Sequence, residues 1–326
     1  MQKPTFFKQI LCRTVIVLSV LQSCSPGTGY DVLSGYAQGG TYSIKYRSTG
    51  VDATRETLQA GVDSLLALID SSLSGYNKSS ILSRFNAGEE PQTNAVFDEM
   101  VNLARKYKEE TGGALDCAAG PVFDIWGFGF EGESFPDSSR VIEALSLAAA
   151  EKSFNFNAIA QGYSCDLVAS YLSSMGVEDM LVDIGEIFCR GLSPSGQPWA
   201  IGVDSPFDGN DNPGQNLQGV LRAPENGCGV VTSGNYRKFY VRDGRKFAHT
   251  IDPRTGYPVG HNLLSATIIA PTATDADAYA TYCMVIGLDE AKTFIESRED
   301  LEGYLIYDDG NEMAEWLSPG FNMREE

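Results

Sequence analysis

Histidine is nearly missing from this chain: 326 residues hold two, His249 and His261. That narrows any search for a general base to two positions. Cysteine carries no pattern. Beyond Cys24 there are Cys117, Cys165, Cys189, Cys228 and Cys283, an odd number with no C-x-x-C pair. Such spacing argues against a zinc site and against a dense disulfide framework. It leaves buried thiols, with room for one disulfide in an oxidising compartment. Cations are few, 24 Lys and Arg against 43 Asp and Glu, for a net charge of −19. An acidic surface of this kind argues against nucleic acid and anionic lipid as partners. It does not forbid a phosphate ligand, because salt screens charges beyond about 8 Å and a local cation can dominate a site. Walker A and G-x-S-x-G sequences are absent. Residues 127–132 (GFGFEG) spell G-x-G-x-x-G, but lead into Ser134-Phe135-Pro136 instead of a helix, so the dinucleotide-binding context is missing.

Long apolar runs are lacking too. Thr14–Leu21 (TVIVLSVL) is far shorter than the roughly 20 residues of a membrane span. It follows Lys3, Lys8 and Arg13 and leads into Leu21-Gln22-Ser23-Cys24. Charge, apolar run, small residue and cysteine in that order resemble a bacterial lipoprotein signal. The expected organisation is a signal peptide over 1–23, a lipidated tether over 24–30 and one domain over 31–326. Cys24 would carry the lipid, and the protein would be exported and anchored to a membrane facing the periplasm. Losing three leader cations takes the net charge from −19 to −22.

Apolar periodicity predicts helices over Ala53–Ile69, Val96–Glu110, Ser164–Met175 and Ala273–Gly287. Strand-like runs occupy Thr41–Tyr46, Met180–Ile184, Trp199–Val203, Val230–Thr232 and Leu263–Ile269. A hairpin is expected at Leu305–Tyr307, turning through Asp308–Asn311. Helices and strands mix without regular alternation, which favours an α+β fold. The polar stretch 204–218 reads as a loop or insertion, or as a break between lobes.

The segment from Phe247 to Thr281 concentrates the chemistry. It holds both histidines. Asp277 and Thr281 are spaced i, i+4 on a predicted helix, so their oxygens share one face. A carboxylate and a hydroxyl suit a hard cation such as Mg2+; the same pattern also suits an ordinary acidic helix start. His249 could serve as a general base, while His261 reads as structural. Asp252-Pro253-Arg254-Thr255-Gly256 is strong turn chemistry. Small residues over 155–162, ahead of a helix, would let a phosphate approach free backbone N–H groups. Residues 231–236 offer small hydroxyls in a turn.

Taken in order, these blocks resemble the ApbE family of FAD:protein FMN transferases. They are Gln38–Tyr42, Ser74-Gly75-Tyr76 with Ser83–Asn86, Gly120-Pro121 through Trp126–Gly129, Asn155–Asp166, Leu181–Glu186, Trp199–Val203, Val231–Tyr236, His249–Pro258 and Ala276–Thr281. The resemblance implies a two-lobed α+β fold with FAD in the cleft between lobes. It implies Mg2+-dependent transfer of FMN from FAD to a threonine or serine hydroxyl of an acceptor protein carrying a D-x-x-[ST]-G-A-T-like motif, with release of AMP. By position, Gln38, Tyr76, Trp126, Gly127, Phe128, Asn155, Gln161 and Ile251 would contact the flavin nucleotide. Ala158, through its carbonyl, with Asp277 and Thr281 would hold the metal, and His249 would activate the acceptor. Two other outcomes fit the same residues: an FAD pyrophosphatase using water, and a flavin-binding lipoprotein without turnover.

Overall fold

The computed structural model describes residues 29–128, 135–207, 210, 214–235, 239–242 and 245–324. The leader 1–23, Cys24, Gly129 and Tyr236 lie outside the described residues. The chain opens on a hairpin of β1 (Tyr30–Ala37) and β2 (Gly40–Arg47). Gln38 and Gly39 turn it, with φ of 53° and 81°. Two left-handed residues in a row match the twist of antiparallel strands. Glycine adopts that conformation freely, whereas Gln38 does so against its own Cβ.

Helix α1 (Arg55–Leu73) begins where the Thr54 hydroxyl accepts from the Thr57 N–H, and it buries Leu58, Val62, Leu66, Ile69 and Leu73 along one face. Next come α2 (Ile81–Asn86), α3 (Ala95–Glu110), α4 (Gly120–Ile125), α5 (Ser138–Ala148) and α6 (Ala160–Ser174). Strands β3 (Met180–Asp183), β4 (Ile187–Arg190), β5 (Ala200–Asp204), β6 (Leu217–Arg222) and β7 (Cys228–Gly234) follow. Two small hairpins pair β8 (Phe239–Arg242) with β9 (Arg245–Ala248) and β10 (Ile251–Asp252) with β11 (Tyr257–Pro258). The chain closes with β12 (Leu263–Ala270), α7 (Ala273–Ile286), α8 (Leu288–Glu296), β13 (Glu302–Asp308), β14 (Met313–Leu317) and β15 (Met323–Arg324).

Eight strands make one antiparallel sheet in the order β1-β2-β3-β4-β7-β12-β13-β14. A smaller sheet, β15-β6-β5, stands apart from it. Val231, Ile268 and Leu305 belong to an apolar cluster with residues of α1, α3, α6 and α7. Their neighbours Val230, Ile269 and Ile306 belong to a second cluster with Trp199, Ile201 and Leu221 of the small-sheet region. Burial on both faces is why β12 is almost continuously apolar instead of alternating. A third cluster joins α4, α5 and Ile251 around Trp126.

The architecture is α+β, with helices gathered against an antiparallel sheet. The helix expected from Ser164 begins earlier, at Ala160. Three other expectations need correction. Tyr30, assigned to the tether, starts β1: its hydroxyl donates to the Leu192 carbonyl at 2.8 Å and its ring meets Trp199 edge-on at 6.2 Å. Of the two readings of 204–218 the loop holds and the break does not, because Asp204 pairs with Leu217 and Val203 with Gly219, so the stretch closes the β5–β6 hairpin. Thr232 and Ser233 lie in strand β7 and not in a turn, held by pairing with Thr267 and Ala266.

Candidate active site

Two helix starts meet at one place. Asp166, on α6, accepts from the Ala273 and Thr274 N–H groups at 2.8 Å each, and from the Thr274 hydroxyl. Asp277, on α7, accepts from the Gly162 N–H at 3.0 Å. Each helix therefore supplies a carboxylate to donors that the other helix's first turn leaves unsatisfied. The contact is too close for any side chain at position 162. A Cβ there would lie 2.2 Å from the Ala273 carbonyl oxygen and 2.9 Å from the Asp277 Cβ. Gly162 is small for packing, and its N–H is committed to Asp277, so the expectation of a free N–H for phosphate does not hold at this residue.

Asp277 is buried, and burial pushes its carboxyl up from 3.8 to about 7. The Gly162 N–H pulls the other way, and the charge of Asp166 adds to the rise. Burial also raises Asp166, against the pull of its hydrogen bonds from Thr274 and Ala273. Among the described residues no Lys, Arg or His pairs with Asp277. A buried carboxylate is costly without a counter-charge, which is the condition a bound cation would relieve. One turn on, Thr281 places Oγ1 3.4 Å from Oγ of Ser233 on β7. Ala158 lies just before α6, half-buried. No cluster of three or more His, Cys, Asp and Glu occurs among the described residues. The carboxylate, the hydroxyl and the Ala158 carbonyl would offer oxygen donors only, the chemistry that suits Mg2+ rather than zinc. Ala280 is fully buried and adds no oxygen donor from its side chain.

Two expected nucleotide residues gather over the same turn of α6. Gln38, at the strained hairpin tip, donates from Nε2 to the Ser164 hydroxyl. Gln161 donates to the Ile184 carbonyl at 3.3 Å and packs on Gly185, whose φ of 90° and missing Cβ make room for it. Asn155 is buried; its N–H donates to the Cys117 carbonyl at 2.7 Å and its side chain accepts from the Asn157 N–H. Tyr76 is 73% exposed on the loop between α1 and α2. Helix α2, which follows that loop, is tied to the Asn155 segment because Asn86 at its end both donates to and accepts from the Phe154 backbone, at 2.8 Å each way.

Trp126, Phe128, His249 and Ile251 form a second group. The Trp126 indole donates to the Gly256 carbonyl at 2.8 Å, its ring meets Tyr257 at 5.9 Å, and Ile251 shares its apolar cluster. Gly127, with φ of 75°, bends the chain after α4 so that the Phe128 ring lies 6.3 Å from the His249 ring. Asp252 is the turn-former: its carbonyl accepts from Thr255 and Gly256, and its carboxylate from Arg254. The Thr250 hydroxyl donates to the Asn235 side chain, and Asn235 directly follows β7, which carries Ser233 to Thr281. A chain of contacts thus runs from the residue beside His249 to the helix that carries Asp277. His261 lies elsewhere. Its Nδ1 accepts from the Leu263 N–H, so Nε2 carries the hydrogen and donates to the Met284 carbonyl at 2.9 Å. Burial lowers its pKa, in keeping with a structural residue.

Residues 38–305 match the ApbE family model. The chain belongs to the ApbE family. FAD:protein FMN transferase of Haemophilus influenzae is 33% identical over 313 residues, covering 88% of this chain and 89% of the relative. The Escherichia coli K12 protein of the same name is 33% identical, with 87% of each chain covered. Among solved structures, the flavin transferase ApbE from Vibrio cholerae superposes with a TM-score of 0.76 at 30% identity, covering 89% of this chain and 97% of that one. The apo flavinyl transferase ApbE of Pseudomonas stutzeri gives 0.78 at 29% identity, covering 89% and 95%.

In this ApbE chain, sequence reasoning gave no role to Asp166, Ser164 or Asn235, which the hydrogen bonds place beside the expected residues. Nothing local signals Asp166, because its partners Ala273 and Thr274 are more than a hundred residues away.

Two expected results follow from the helix crossing. Gly162→Ala should destabilise the protein by about 3 kcal/mol and lower the melting midpoint by roughly 5 °C or more, since backbone must move to admit the methyl. An unchanged midpoint would mean the helix starts are not in contact. The second concerns pH. With the Asp277 pKa raised to about 7, the native state keeps a proton that the unfolded chain has released. The native state then binds more protons between about pH 4 and pH 7, so this group's contribution to stability falls as pH rises through that window. In metal-free buffer, the melting midpoint of Asp277→Asn should exceed that of wild type by an amount that grows from pH 4 to 7. A gap independent of pH would refute the burial argument.

Proposed function

We propose that this chain transfers the FMN half of FAD to a threonine or serine hydroxyl of an acceptor protein, releasing AMP. The observation that carries the reading is similarity over nearly the whole chain to proteins named FAD:protein FMN transferase. The site chemistry agrees with it. Asp277, Thr281 and the Ala158 carbonyl would hold Mg2+, which would supply positive charge against the pyrophosphate. The first turns of α6 and α7 already donate to Asp277 and Asp166, so the positive charge at the pyrophosphate would come from the cation. Gln38, Tyr76, Asn155, Gln161 and Ile251, with the Trp126-Gly127-Phe128 loop, would hold the nucleotide and fix its phosphorus for in-line attack. Phosphoryl transfer is mostly positioning and charge stabilisation, so such a frame accounts for most of the work. The acceptor oxygen bonds to the FMN phosphorus, the bond to the AMP phosphate breaks, and His249 takes the hydroxyl proton.

The acceptor would present a D-x-x-[ST]-G-A-T-like motif. Residues 1–23 would direct export, a lipid on Cys24 would anchor residues 31–326, and the domain would face the periplasm. Among the described residues no helix is long and apolar enough to cross a membrane.

The test is to incubate the protein with FAD, Mg2+ and a peptide carrying the acceptor motif. A peptide mass gain equal to FMN less water, with equimolar AMP, is the expected result. Free FMN and AMP with unmodified peptide would assign water as acceptor. Intact FAD throughout would leave a binding protein without turnover.

A further inference from the structure

Cys189 and Cys228 face one another where β4 pairs with β7. They are direct partners in the register, and their sulfurs are 3.9 Å apart. Opposed residues on antiparallel strands have Cα atoms about 4.5–5.5 Å apart. Disulfides need about 4.4–6.8 Å. The backbone is therefore already spaced for a bond, and turning the two side chains brings the sulfurs together. Among the described residues this is the one contact between two cysteines. Cys117, Cys165 and Cys283 lie in the helix-side cluster, while this pair lies in the other one, with Trp199 and Ile201.

The position matters for the fold. The β4–β7 ladder has three residue pairs, Ile187↔Val230, Phe188↔Gly229 and Cys189↔Cys228. That short seam joins β1-β2-β3-β4 to β7-β12-β13-β14. Between the two cysteines, 39 positions apart, the chain leaves the large sheet to build β5 and β6. A covalent link here closes the whole excursion and ties the two halves of the sheet. It also fixes the strand that carries Ser233 toward Thr281.

We propose that Cys189 and Cys228 form a disulfide that staples β4 to β7, made during folding by a thiol–disulfide donor. One thiolate attacks the donor's disulfide to give a mixed disulfide and release one donor thiol. The second cysteine then displaces the other donor sulfur. Two electrons and two protons pass to the donor, which leaves as two thiols. Cys189 is held as the thiol by its Cys228 contact and by burial, so the bond forms before β5 and β6 cover the seam. In ordinary cells the proposal rests on the export reading, since cytosolic thiols stay reduced.

The experiment produces the full chain twice: in ordinary bacterial cells, and in cells whose cytosol is made oxidising. Free thiols are trapped under denaturing conditions and the peptides mapped by mass spectrometry. A Cys189–Cys228 linked peptide in both preparations, with Cys117, Cys165 and Cys283 alkylated, is the expected result. A link only in the oxidising cytosol would uphold the pairing and count against export. Cys189 and Cys228 both alkylated in both preparations, or a mixture of pairings, overturns the proposal. The linked protein should melt roughly 5 °C or more above its reduced form. The double variant Cys189→Ala/Cys228→Ala should show no such response to reductant and should keep its rate of FMN transfer.

Discussion

Asp277→Asn is expected to fold as well as wild type and to lose FMN transfer by about a thousandfold, roughly 4 kcal/mol of transition-state stabilisation. The argument turns on what asparagine keeps. Its amide oxygen can still accept from the Gly162 N–H, so the helix crossing survives. What it loses is the charge that would hold Mg2+. Because that charge is buried without a cationic partner, its removal should also ease a strain in the metal-free protein. Stability and activity should therefore move in opposite directions, which a merely structural residue would not do. Asp277→Ala should lose both, since the Gly162 N–H then has no acceptor, at a further cost of about 1–3 kcal/mol. Transfer assays across Mg2+ concentrations, beside thermal melts in chelator, check this. Turnover of Asp277→Asn within a few-fold of wild type would sink the metal assignment.

His249→Ala should leave FAD binding near the wild-type level and reduce transfer by about 10²–10⁴-fold, the usual contribution of a positioned acid–base group. The ring sits at the end of the hairpin that Trp126 anchors through Gly256, with Phe128 against it. That anchoring does not depend on the imidazole, so the variant should keep its loop. Flavin fluorescence titration measures binding, and single-turnover transfer to the acceptor peptide measures chemistry. Equal losses in both would mean that the ring holds the loop instead of the proton.

Part of this site could be read without coordinates. The i, i+4 spacing of Asp277 and Thr281 needs only a helix, and α7 is there from Ala273 to Ile286. The turn role of Asp252 follows from its neighbours Pro253 and Gly256, and the hydrogen bonds agree. Elements held mainly by tertiary pairing were harder. Strand β1 contains Ser34 and Gly35 and was not assigned, because its partner β2 stabilises it more than its own propensity does. The stretch 204–218 stays open between loop and break for a related reason: polar composition looks alike in a linker and in a long hairpin loop.

The sequence by itself determined the α+β class, the i, i+4 placement of Asp277 and Thr281 on one helix, the turn chemistry at Asp252 and, through the order of its blocks, membership of the ApbE family. These depend on local periodicity, turn chemistry and spacing, which residues carry with them. Only the tertiary structure decided that Asp166 and Asp277 exchange helix caps, that Gly162 is small because Ala273 lies against it, and that Cys189 faces Cys228. Each of these joins residues far apart in the chain, and such proximity is set by packing, which no local pattern encodes.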